Sequence, residues 1–224
     1  MTSLILTFDD SGAGSLRTAG LADCVIAFGL RFVCGPSKSQ AELDALLSSR
    51  SGLRGTSAPH WPDNLTDACF EDARSLGLSL VEFCQRFESV ELWIDPDPNS
   101  QLQLIWLLDY LRSSANVISR LALVQTDFGI GGQLSEELAT LRPPTVPICD
   151  NHLEIAAAAW TAWRAPTPQD WFGLLARDLK TFPQLRTSVI SLLLRCRDST
   201  KDPSISKCTK TLTVTRGTSA ARWR

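Results

Sequence analysis

Histidine is nearly absent from this 224-residue chain, which has two, His60 and His152. A zinc centre would have to draw most of its ligands from cysteine or carboxylate, and no cysteine pair has C-x-x-C spacing. A Ser-His-Asp triad would have to use one of these two rings, and no G-x-S-x-G elbow accompanies them. Both histidines are expected to be surface or packing residues. Long hydrophobic runs are missing too. The strongest, Ile155–Trp163, has nine residues and contains Thr161, well short of the ~18 that cross a membrane. The N-terminus has no basic region and turns acidic at Asp9 and Asp10, unlike a secretion signal. Neither sign of charge dominates: 22 Lys and Arg face 24 Asp and Glu. That balance excludes a wholly basic nucleic-acid protein and an acidic disordered coil. The expectation is a soluble, cytoplasmic protein, in which the seven cysteines are reduced and mostly buried.

What is present is a repeated strand–helix alternation. Ser3–Phe8, Cys24–Phe28, Val90–Ile94 and Leu121–Gln125 are short apolar runs closed by turn residues, and each reads as a buried strand. Helices are expected between them. One covers Ser15–Leu21, capped by Ser11 or Ser15; another covers Gln40–Arg50, capped by Ser39. A third covers Leu65–Leu76, capped by Asn64, and a fourth Leu78–Phe87. The strongest is Gln101–Arg112, capped by Ser100. Strands separated by helices imply a parallel sheet with right-handed crossovers. The fold class expected is therefore α/β and Rossmann-like, with a short parallel sheet over residues 1–127.

After Asp127 the composition changes. Gly129, Gly131 and Gly132 form a flexible stretch, Ser135–Leu141 a short helix, and Arg142–Pro147 a stiff proline-rich linker. Residues 128–147 are thus expected to connect to a helical subdomain at 148–194, with helices near Asn151–Trp163, Pro168–Lys180 and Pro183–Leu194. Residues 195–224 carry a net charge of +6. They read as a disordered tail or as a basic arm for nucleic acid, although Trp223 is their only aromatic residue and offers no stacking platform.

In parallel sheets, ligands bind beyond the carboxyl ends of the strands at the switch point of strand order. Acids cluster at those ends: Asp9 and Asp10 after the first strand, Asp95 and Asp97 after the third, and Asp127 after the fourth. Adjacent carboxylates repel unless a proton or cation intervenes. Asp9, Asp10, Asp95 and Asp97 are therefore candidate Mg²⁺ ligands. Ser11, Gly12, Gly14 and Ser15 could offer donors to a phosphate at the following helix N-terminus, and Gln101 lies at the start of the facing helix. Against this, Arg17 stands where a G-x-G-x-x-G loop needs its third glycine, and no Walker lysine motif exists. Asp and Gly are also ordinary turn residues. Arg17, Arg31 and Arg120 could neutralise the acids with no ligand at all.

Several of these stretches together resemble a bacterial family known as "domain of unknown function 1835". They are Asp10-Ser11-Gly12-Ala13-Gly14-Ser15-Leu16-Arg17, Gly35-Pro36, and Leu92-Trp93-Ile94-Asp95-Pro96-Asp97-Pro98-Asn99-Ser100-Gln101-Leu102-Gln103-Leu104. Further on come Ala157–Trp163 and Leu174-Leu175-Ala176-Arg177-Asp178. The resemblance covers about residues 3–194 and implies architecture more than reaction type. Many relatives carry a histidine in the loop where this chain has Pro96 or its neighbours, so a histidine-based chemistry does not carry over. Relatives also continue with a Gly-Leu-x-x-Thr-Glu segment that is replaced here by the basic tail, as a frameshift or truncation near Leu194 would produce. The leading expectation is a small-ligand-binding or regulatory module. The alternatives are a Mg²⁺-dependent enzyme acting on a nucleotide or phosphorylated metabolite, and nucleic-acid binding through the tail.

Overall fold

Five strands form one sheet in the order β2-β1-β3-β4-β5. In chain order the elements are β1 (Ser3–Thr7), α1 (Asp10–Thr18), β2 (Cys24–Ala27), α2 (Gln40–Leu47), α3 (Glu71–Leu76), α4 (Leu80–Cys84), β3 (Ser89–Ile94), α5 (Pro98–Leu111) and α6 (Ala115–Ile118). They continue with β4 (Leu121–Gln125), α7 (Ser135–Leu141), β5 (Thr145–Pro147), α8 (Asp150–Arg164), α9 (Gln169–Leu175) and α10 (Leu185–Ser199). This computed structural model describes residues 2–34, 38–50, 59–141 and 143–199, with side chains to residue 195. Gly35-Pro36, residues 51–58 and the tail from residue 200 lie outside the described residues.

The fold is α/β and Rossmann-like. β1 pairs in parallel with β2 and β3, and β3 with β4. β5 pairs antiparallel with β4, with Val146 opposite Leu123. The stretch expected to be a stiff linker therefore adds an edge strand. Proline is tolerated there because an edge position does not require its missing N–H. Side chains alternate across the sheet. Leu4, Leu6, Cys24, Ile26, Val90, Leu92, Ile94, Leu121 and Leu123 enter the larger core. Ile5, Val25, Trp93 and Val124 enter a smaller one with Ala13, Leu16, Ile130 and Leu138. α1 and α7 cover the smaller core.

α5 lies in the larger core. Every residue from Ser100 to Leu108 is buried, the mark of a helix with no solvent face. α8 and α10 pack on it, and Ile155, Ala156, Ala159, Trp160, Leu185 and Val189 share its cluster with the sheet residues. Among the described residues, no helix is long and apolar enough to cross a membrane.

Several helix starts differ from expectation. α1 begins at Asp10, directly after the strand, because Asp9 rather than Ser11 or Ser15 is the cap. α5 begins at Pro98 with Asp97 as cap, not Ser100, since proline suits the first helical position. Asn64 caps nothing; a 3-10 turn at Ala68–Phe70 leads into α3 instead. Ser39 caps α2 as expected, in a reciprocal box with Glu42. The glycine stretch after Asp127 is a 3-10 turn, Ile130–Gly132, whose Ile130 is fully buried. Of the described cysteines only Cys24 and Cys84 are buried, whereas Cys34, Cys69 and Cys149 are exposed. Both histidines are buried packing residues. His60 Nε2 lies 2.9 Å from the Ser48 carbonyl.

Gly77 ends α3 in the left-handed region (φ 63°), and a Cβ there would lie 3.0 Å from Arg50 Cβ. Gly14 sits inside α1 with nothing within 4 Å of a built Cβ. Gly77→Ala is expected to destabilise the protein by about 1–2 kcal/mol. Gly14→Ala is expected to stabilise it by about 0.5–1 kcal/mol. Urea unfolding midpoints of the two variants, moving in opposite directions, check both.

Candidate functional site

The strand order reverses between β1 and β3, and the sequence places Asp9 and Asp95 at the carboxyl ends of these two strands. Asp9 has extended backbone, and its Oδ2 accepts a hydrogen bond from Gly12 N–H at 2.8 Å. Its carbonyl accepts from Ala13 N–H at 2.9 Å. The Asp9 carboxylate thus occupies the place at the α1 N-terminus that an incoming phosphate would need. Asp95 is half-buried, and its Oδ1 accepts from Ile130 N–H at 2.8 Å.

One turn touches both acids. Ile130 donates to Asp95. A Cβ on the next residue, Gly131, would lie 2.8 Å from Asp9 Oδ2, 2.6 Å from Ser11 Cβ and 3.0 Å from Gly12 N. Only glycine fits that approach. Gly12 is matched to it, since a Cβ there would meet Ile130 at 3.4 Å. Asp9, Ser11, Gly12 and Asp95 therefore converge, with the chain's own turn seated between them.

The remaining candidates are placed differently. Asp97 is exposed and accepts from Asn99 and Ser100 N–H at 2.8 and 3.1 Å; its charge still reaches Asp95. Asp10 is exposed in the first turn of α1, and Gly14 and Ser15 lie further along that helix. Among the described residues, no hydrogen bond or ion pair joins these three to Asp95. Nor do Arg17 and Arg120 neutralise the acids. Arg17 donates to Val25 O and pairs with Asp67, and Arg120 donates to Gln85 and Phe87 carbonyls. Among the described residues, no group of three or more His, Cys, Asp or Glu could hold a metal ion.

Behind Asp95 lies a polar layer that sequence reasoning missed, apart from Gln101. Gln101 is fully buried; its Nε2 donates to the Asp95 carbonyl at 3.0 Å and to Gln184 Oε1 at 3.1 Å. Gln184 Nε2 donates to the Thr126 carbonyl, and Thr126 Oγ1 donates to Phe128 O at 2.7 Å. Gln125 Nε2 donates to Thr181 O at 3.1 Å. Gln101 Oε1 and Gln125 Oε1 are buried without a partner. Gln184 is 83 residues from Gln101, and no local signal connects them.

Burial pushes the Asp95 pKa up to about 6. The Ile130 N–H opposes the rise, and the charges of Asp97 and Asp9 add to it. The site can therefore supply a carboxyl group that exchanges its proton close to neutral pH, beside a second carboxylate. Comparison of the chain with protein-family models, with curated proteins and with solved structures finds no match.

Two outcomes follow from this geometry. Gly131→Ala is expected to destabilise the protein by about 1–3 kcal/mol, because the α1 backbone must shift. Gly132→Ala, with open space at its Cβ, is expected to change stability by no more than about 0.5 kcal/mol. Thermal unfolding of the pair checks this. A folded pKa above the unfolded one means that the folded state binds the extra proton. Stability from Asp95 is thus complete below the ordinary aspartate value of 3.8 and falls as pH rises to about 6. Asp95→Asn keeps an acceptor for Ile130. It is expected to match the wild type at pH 4 and to exceed its stability at pH 7 by an amount on the order of 1–3 kcal/mol. Urea midpoints across that range check the sign.

Proposed function

We propose that this chain is a small-ligand-binding module of regulatory type, related to the family its sequence resembles. Its ligand would be received between Asp9 and Asp95 at the carboxyl ends of β1 and β3. The observation that carries the reading is the half-buried Asp95 carboxyl, raised toward neutral pH at the switch point and bracketed by Asp9 and Asp97. A carboxyl so placed favours a ligand that brings hydrogen-bond donors or a cationic nitrogen, since either relieves its repulsion with Asp9. The Ile130–Gly132 turn now supplies that donor through Ile130 N–H, so binding requires the turn to yield.

Mg²⁺-dependent phosphoryl chemistry has less support. Asp9 already fills the anion position at the α1 N-terminus, and the first-turn donor Gly12 N–H is spent on its carboxylate. Nucleic-acid binding through the tail rests on charge alone.

The test is thermal unfolding of the full chain against nucleosides, nucleotides, amino acids, amines and sugar phosphates, each with and without Mg²⁺. A ligand at about 100 times its Kd adds roughly 2.7 kcal/mol, a rise of roughly 5–10 °C for a chain of this size. The reading expects such a rise, lost in Asp95→Ala and kept in Gly14→Ala. A flat response from folded protein, or a rise that survives both Asp9→Ala and Asp95→Ala, overturns it.

A further inference from the structure

At the start of α8, Cys149 and His152 form a second constellation that the proposed ligand site does not use. Cys149 is exposed, has extended backbone, and is the residue before the fifteen-residue helix. His152 is 3% exposed and stands edge-on to the Phe182 ring, with centroids 5.3 Å apart at 90°. Its Nδ1 accepts from Cys149 N–H at 3.2 Å and lies 3.0 Å from Cys149 Sγ. Among the described residues, these are the imidazole's only hydrogen-bond contacts.

The backbone donor settles which ring nitrogen carries the proton. An Nδ1 that accepts from an N–H bears the lone pair, so the hydrogen of the neutral ring is on Nε2. Burial lowers the His152 pKa, which keeps the ring in that neutral, proton-accepting form. Within a reciprocal capping box at the start of α8, the one lone pair of this rigidly packed base is shared between the Cys149 N–H and the exposed Cys149 sulfur.

We propose that Cys149 is a modification site, a base-assisted thiol that exchanges with low-molecular-weight disulfides. Cys149 Sγ attacks one sulfur of the disulfide while its proton passes to His152 Nδ1. A new S–S bond to Cys149 forms as the old S–S bond breaks. The departing thiolate takes the proton from His152 and leaves as a free thiol. Cys149 is oxidised to the mixed disulfide, and the small disulfide, which is the oxidant, loses one half as thiol. Exchange fits this geometry better than acyl hydrolysis does. Among the described residues, no carboxylate orients His152 Nε2, as a triad would require.

The other described cysteines provide the comparison inside the same molecule. Burial pushes the Cys84 thiol up to about 12 and the Cys24 thiol up as well. Cys34 and Cys69 are exposed, and neither is hydrogen-bonded to an imidazole.

The reduced full chain is incubated with millimolar oxidised glutathione at neutral pH. Acid-quenched samples are digested, and each cysteine is followed by peptide mass spectrometry. Cys149 is expected to form the mixed disulfide at least about tenfold faster than Cys34 or Cys69. A Cys149 rate no higher than theirs overturns the proposal, and this measurement needs no variant. His152→Asn keeps a hydrogen-bond acceptor but removes the base. In folded H152N, the Cys149 rate is expected to drop to that of the other exposed thiols. An unchanged rate there removes His152 as the proton acceptor and overturns the proposed step.

Discussion

A helix buried on every side cannot leave its polar side chains to water, and α5 meets this constraint by tying other segments to itself. Asn99 accepts from Phe32 and Val33 N–H and donates to the Leu30 carbonyl. Gln103 accepts from Leu30 N–H. Gln101 holds the Asp95 carbonyl and Gln184. Three polar residues of one helix thus fasten the chain after β2, the end of β3 and the segment entering α10. The apolar side chains Leu102, Leu104, Ile105, Leu107 and Leu108 fill the spaces between, each stabilising the fold by roughly 1.5–3 kcal/mol of burial. Gln101 Oε1, Gln103 Nε2 and Trp106 Nε1 remain without partners, an opposing contribution of about 1–3 kcal/mol each.

The same economy of internal partners shapes the switch point. Asp9 caps α1, and Asp95 is bonded to the turn that also packs against Asp9. Two like charges at strand ends would otherwise have to be solvated. Here, one is stabilised by a helix N-terminus and the other is raised toward the neutral form by burial. The site is closed by the protein's own backbone, which is why ligand binding and the position of the Ile130–Gly132 turn are coupled in the proposed function.

Much of the architecture was legible because it depends on local alternation. Val90, Leu92 and Ile94 point one way and Trp93 the other, as period-two patterning requires, and the first four strands stand where apolar runs predicted them. Helix starts were less legible. Ser100, Ser11 and Asn64 are all good caps by residue type, yet Asp97 and Asp9 cap their helices and Asn64 caps none. The choice depended on Pro98 for α5, and on the packing of Gly12 against Ile130 for α1. Gly131 read as a flexible linker residue; it is glycine because α1 and the Asp9 carboxylate leave no room for a Cβ. Among the candidate site residues, Asp9, Ser11, Gly12 and Asp95 come together, Asp97 contributes only through its charge, and Asp10, Gly14 and Ser15 lie along the α1 helix.

By itself, the sequence determined the α/β class, the strand positions, the Ser39 cap of α2 and the acids at the strand ends. All of these follow from residue periodicity and short-range hydrogen bonding. Tertiary structure alone decided that β5 joins the sheet as an edge strand, that Gln184 meets Gln101 across 83 residues, and that a glycine turn seats itself between Asp9 and Asp95. It also decided that, among the described residues, three exposed cysteines differ, because of these only Cys149 has an imidazole packed against its sulfur. Each of these depends on which distant surfaces are pressed together when α5 is buried, and no local pattern encodes such a meeting.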